Sequence, residues 1–129
     1  LFDLLERGGV VAGAGSGARF LADHMPGDAY GWNRGCGLSR QSAVHTWPAP
    51  KRASDEMVAA LKLEPSLLGL GLDERTAVIV QGNWMEVIGE GKAAVFDATR
   101  SGWPWEGDEA FLLLRPDERY DLQARRPEW

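Results

Sequence analysis

The stretch GGVVAGAGSGARFLADHM, Gly8 to Met25, decides how this chain is first read. GVVAGAG is a short apolar run of the type that forms a strand buried on both faces of a parallel sheet. Gly13, Gly15 and Gly17 then mark a tight turn. Beyond it Ala18, Phe20, Leu21 and Met25 recur at helical spacing, with Asp23 and His24 facing outward, until Pro26 stops the helix. Strand, glycine turn and helix together predict an α/β fold, a parallel-centred sheet flanked by helices. Such a bend can also hold a nucleophile above a sheet edge. The Gly-x-Ser-x-Gly pattern framed by Gly13 and Gly17 requires serine at position 15, however, and the chain has Gly15 there. The hydroxyl at hand is that of Ser16. It stands either near a reacting centre or as a plain helix cap. No Lys-Ser/Thr of a P-loop follows, and Ala18 stands where a dinucleotide fingerprint needs its third glycine.

Working outward, Leu1, Phe2, Leu4 and Leu5 read as the end of a helix closed by Gly8-Gly9, and PGDAYGWNRGCG as a polar loop carrying Tyr30 and Trp32. A short strand is expected between Leu38 and Trp47, leading to His45. A helix capped by Ser54 or Asp55 should run through Met57, Val58, Leu61 and Leu63 and end before Pro65. GLGLDERTAVIV predicts strands on both sides of a charged kink. QGN is a turn signal, and WMEVIG and KAAVFDA read as strands separated by GEG. After the loop SGWPWEGD comes a strand in FLLL, a turn at Pro116-Asp117 and a return strand. Trp103 and Trp105 suit either an aromatic platform for a ligand or the cover of a sheet or domain interface.

At 129 residues, 44% hydrophobic and 26% charged, residues 1–129 make one α/β domain or half-domain. The net charge of −5, with eleven arginines and three lysines scattered along the chain, argues against a nucleic-acid partner. Arg125-Arg126 reads as a solvated tail. A single cysteine, Cys36, excludes an internal disulfide and favours a cytoplasmic location. No apolar run approaches the roughly 20 residues that span a bilayer, so no membrane partner is expected. His24 and His45 lack ligand spacing, so neither a metal nor a cofactor is expected. The chain opens LFDLLERGG without Met. It is expected to be a processed product or fragment, which pairs with its own N-terminal half or with a second chain and oligomerises through exposed sheet edges.

Gly8 to Met25 resembles the nucleophile segment of the cyanophycinase and dipeptidase E (aspartyl dipeptidase) family of serine peptidases, which commonly reads Gly-Gly-Val-Ile-Gly-Gly-Thr-Ser-Ala-Gly-Ala. PSLLGLGLDERTAVIVQGNWMEVIGEGKAAVFDA, Pro65 to Ala98, is similar to the family's Leu-Leu-Gly-Ile-Gly-Ile-Asp-Glu-x-Thr-Ala and the strand that follows it. GCGLSRQSAVHTW, Gly35 to Trp47, falls where the family has Gly-Leu-Gly-Leu and then Asp-Gln-His-Phe. The resemblance covers the C-terminal half of a complete family member. It implies a three-layer fold of the class I glutamine amidotransferase or flavodoxin type, with a β-rich end, and a Ser-His-Glu triad.

On that resemblance His45 matches the histidine that takes the nucleophile's proton, and Glu74 matches the carboxylate that orients the imidazole. The serine position falls on Gly15, with Ser16 one residue late. Val44 replaces the family's Gln before the histidine. PAPKRASDEM, Pro48 to Met57, replaces an arginine-rich helix start that helps hold acidic substrates, leaving Lys51 and Arg52 as basic contacts. The resemblance thus implies a serine-type peptidase acting on short acidic or β-aspartyl peptides through Ser16, His45 and Glu74, impaired at the bend. The alternative is a non-catalytic binding or assembly module that keeps the peptidase fold. Without the resemblance, His45 reads more as a partly buried structural histidine than as a base, and Asp73-Glu74 as a solvated turn between strands.

Overall fold

The computed structural model describes residues 2–14, 16–25, 33–37, 39–46, 50–100 and 111–128. The helices are α1 (Phe2–Glu6), α2 (Ser16–Leu21) and α3 (Pro50–Leu63). The strands are β1 (Ala22–Met25), β2 (Asn33–Arg34), β3 (Ser39–Thr46), β4 (Leu68–Leu72), β5 (Thr76–Gln81), β6 (Trp84–Gly89), β7 (Ala93–Asp97), β8 (Leu112–Leu114), β9 (Arg119–Asp121) and β10 (Arg126–Glu128). They build a six-stranded sheet of order β2-β1-β3-β4-β7-β8 and a four-stranded sheet of order β10-β9-β6-β5.

Within the first sheet β1, β3 and β4 run parallel, while β2, β7 and β8 are antiparallel to their neighbours. The second sheet is antiparallel throughout. Its core hairpin follows from TAVIVQGNWMEVIG: two alternating runs joined at Gly82-Asn83, where Gly82 takes φ +59°.

Strand β4 shows why the layers stack as they do. Side chains on a strand alternate between faces. In Leu68-Gly69-Leu70-Gly71-Leu72 the leucines therefore take one side and the glycines the other. Leu68, Leu70 and Leu72 join Val44, Ala93, Val95 and Leu114 against Met85, Val87 and Tyr120 of the second sheet. On the opposite side Ala43, Ala94 and Phe96 meet Met57 and Leu61 of α3. Met57, Ala60 and Leu61 recur at i, i+3 and i+4, the spacing of one helical face, and all three are buried. The helix closes down because Gly69 has no side chain: a Cβ there would stand 2.7 Å from the sulfur of Met57.

This is not the helix-flanked, parallel-centred three-layer α/β fold expected from the sequence. Among the described residues the regular structure is mostly strand, in two antiparallel-rich sheets, with three helices of 5, 6 and 14 residues. Two local readings explain the difference. GVVAGA forms no ladder, and Val10 is 84% exposed. The predicted helix to Met25 stops at Leu21, because Ala22–Met25 pairs instead with β3 as β1. The face that a second helical layer would have covered is taken by the second sheet.

The predicted solvated tail is corrected as well. Arg125 donates from Nη1 to Asp97 Oδ1 at 3.1 Å, and also bonds the Ser66 carbonyl. Asp97, only 3% exposed, further accepts the Thr99 hydroxyl at 2.6 Å and the Thr99 amide at 3.0 Å. Trp103, Trp105, Tyr30 and Trp32 lie outside the described residues. Among the described residues no helix is long and apolar enough to cross a membrane.

Burial, with the Asp97 carboxylate next in weight, pushes the Tyr120 phenol from 10.0 up to about 12. Between those values the unfolded chain releases the phenolic proton while the folded chain keeps it, so stability falls as pH rises from about 10 to about 12. Urea unfolding across that window should show a loss of roughly 2 kcal/mol that is absent in Tyr120→Phe.

Candidate functional site

The glycine bend is closely packed. A Cβ on Gly13 would stand 2.5 Å from the Gly17 carbonyl oxygen, so the chain can double back there only without a side chain. The Gly17 amide donates to the Ala14 carbonyl at 2.9 Å, and Ser16 opens α2. Helix α2 lies against β3, with Ala18 packed on the cluster that contains Val44. Gly15 and the side chain of Ser16 lie outside the described residues.

His45 stands near the C-terminal end of β3. Alternation turns Val44 toward the second sheet and sends Ala43 and His45 to the side of α3. The imidazole is 15% exposed and is held at both nitrogens. Nδ1 lies 2.9 Å from the Thr46 carbonyl oxygen, and Nε2 lies 3.1 Å from Glu56 Oε2, on a side chain 29% exposed. Glu56 immediately precedes Met57, the residue that anchors α3 on Gly69, so the docking of the helix fixes where this carboxylate can reach.

Sequence reasoning missed Glu56. The signal was topological: α3 connects two adjacent parallel strands, so its first turns lie over the C-terminal end of β3. A carboxylate in those turns is a natural neighbour for His45.

Glu74 lies in the turn between β4 and β5, where the backbone is tightly held. The Asp73 amide donates to the Lys92 carbonyl at 3.2 Å, and the Glu90 amide to the Arg75 carbonyl at 2.9 Å. The Thr76 hydroxyl donates to the Glu74 carbonyl at 3.1 Å. Arg75 sits at φ +54°. Gly89 takes φ +107°, and a Cβ there would stand 2.1 Å from the Arg75 oxygen. The GEG turn is therefore the clamp of the LDER turn. The side chain of Glu74 is exposed. Its position is three residues beyond Gly71, the Cα partner of His45 across the parallel ladder.

Among the described contacts, His45 and Glu74 are not hydrogen-bonded to each other. The carboxylate that His45 meets is Glu56. Among the described residues no group of three or more His, Cys, Asp or Glu is placed to hold a metal ion.

No family model matches the chain. It is similar to two cyanophycinases, one from Trichormus variabilis and one from a Nostoc species. Each is 30% identical over 106 residues, covering 72% of this chain and 36% of the relative. The chain thus spans little more than a third of the length of the curated relatives it matches.

The clamp on the Glu74 turn is open to test. Gly89→Ala puts a Cβ into the Arg75 carbonyl at a backbone conformation that L residues rarely adopt. The substitution should cost about 2 kcal/mol in urea unfolding. Its amide shift changes should concentrate at residues 73–76.

Proposed function

We propose that the chain is part of a cyanophycinase-like serine-type peptidase that acts on short acidic or β-aspartyl peptides, with turnover impaired because Gly15 stands where the nucleophile belongs. The observation that carries this reading is the similarity to the cyanophycinases. Ser16 supplies the nearest hydroxyl and attacks the scissile carbonyl to form an acyl-enzyme. His45 takes the hydroxyl proton and passes it to the leaving amine, and Glu74 supplies the carboxylate that steadies the imidazolium. Water then releases the acyl group by the same route in reverse. The partly buried position of His45 at the end of a parallel strand supports its assignment as the base.

One observation favours a second reading. Position 15 carries no side chain, which suits a binding or assembly module that keeps the peptidase fold without its chemistry.

A fluorophosphonate serine probe on the full chain separates the two. Slow labelling confined to Ser16 and lost in Ser16→Ala is the expected result, and Gly15→Ser should raise the labelling rate by about 10²-fold or more. Folded protein that stays unlabelled in its native form, as Gly15→Ser, and as Gly15→Ser combined with Glu56→Ala rejects the peptidase reading in favour of the binding module.

A further inference from the structure

We infer that Glu56 is a positioning residue that keeps His45 from acting as a base; the inference deepens the peptidase reading above and rests on it for the role of His45. A neutral imidazole has one N–H and one lone pair. A general base needs that lone pair turned toward the hydroxyl whose proton it takes. Here the atom facing Nδ1 is the Thr46 carbonyl oxygen, at 2.9 Å, and the atom facing Nε2 is a carboxylate oxygen of Glu56, at 3.1 Å. Both are acceptors. Whichever nitrogen lacks a proton confronts an oxygen that has none to give.

The contact at Nε2 is the restrictive one. A carboxylate there requires the proton on the ring, whereas a serine hydroxyl there requires it on the oxygen. The two occupants exclude each other, and the carboxylate forms the stronger bond because it is charged. The partial burial of both side chains limits the competition from water.

Nor can the helix withdraw to release the contact. Met57, the next residue, is 1% exposed and is wedged over Gly69, where the missing Cβ leaves room for its sulfur and for Phe96. Glu56 therefore leaves His45 only by rotation of its own side chain. The lesion at Gly15 removes the hydroxyl, and Glu56 occupies the place that hydroxyl would need on the imidazole.

Two measurements test this, and they fail separately from the peptidase reading. Long-range proton–nitrogen NMR on the full chain reads which ring nitrogen of His45 carries hydrogen. The chain has two histidines, and His45→Gln identifies the signal. Expected is a protonated Nε2 near neutral pH. In both Glu56→Gln and Glu56→Ala, hydrogen should shift to Nδ1, which then donates to Thr46. A native Nε2 without hydrogen, or a pattern unchanged in both variants, overturns the inference. A pair of substitutions keeps this decisive should one disturb folding, which near-ultraviolet circular dichroism monitors.

The second arm compares fluorophosphonate labelling of Gly15→Ser with that of Gly15→Ser combined with Glu56→Ala. Faster labelling of the double variant, by about 10²-fold, is the lower range of what a freed general base contributes. Equal labelling of the two overturns the inhibitory role. If neither is labelled while the nitrogen pattern shifts as expected, the peptidase reading falls and the hold of Glu56 on His45 stands.

Discussion

The alternation of leucine and glycine in β4 is the constraint on which the rest of the structure depends. Leu68, Leu70 and Leu72 reach into the cluster shared with Met85, Val87 and Tyr120, so the four-stranded sheet has an apolar surface to sit on. Gly69 and Gly71 leave the other face bare. That bareness lets α3 approach until Met57 and Phe96 close over Gly69. The same feature shapes the candidate site. Gly71 is the ladder partner of His45, so β4 places no side chain beside the imidazole. The close approach of α3 then brings Glu56 to it. A strand built of leucine alone would hold the helix farther off.

The two sheets are also tied by polar groups that a sequence pattern does not reveal. Asp97 is the last residue of β7 and is almost wholly buried. It collects the guanidinium of Arg125 and two donors from Thr99. Arg125 in turn reaches the Ser66 carbonyl in the loop between α3 and β4. Removing a charge from water is costly unless its partners satisfy it, and here several do. The cluster joins the end of the chain to the first sheet beside Tyr120, whose raised phenol reports the same dry surroundings.

Much of this was legible where a segment's own period decides its state. The hairpin of β5 and β6, strands β3, β4 and β7, and the docked face of α3 follow from alternation, turn residues and i, i+3, i+4 spacing. The readings that failed are those in which the partner decides. GVVAGA has the composition of a buried strand yet makes no ladder, since a strand needs edges to pair with and not only apolar residues. Ala22 to Met25 fits a helical stripe but pairs with β3 at Ala22 and His24, across a register shift, and with β2 at His24 and Met25. Arg125 looked solvated because its acceptors lie 28 and 59 positions away. The fold class went wrong by the same route: helices were expected on both faces, whereas hairpin strands cover one of them. At the site, the contact of Glu56 with His45 follows only from the geometry of a helix packed between two parallel strands.

On the proposed reading, the departures at Gly15 and Glu56 act on opposite ends of one proton transfer. Acyl transfer from a serine begins when a hydroxyl hydrogen finds an open lone pair. Gly15 removes the hydroxyl from the position where the bend would present it. Glu56 and the Thr46 carbonyl together leave no lone pair on His45 facing outward. Each change slows the step, and neither disturbs the packing that supports the site. The bend is closed by Gly13 and Gly17, and Glu56 lies at the flank of a helix whose anchors are Met57 and Leu61. The scaffold of a hydrolytic site can therefore persist while its chemistry is lost, because the residues that hold it together are different from the residues that move the proton.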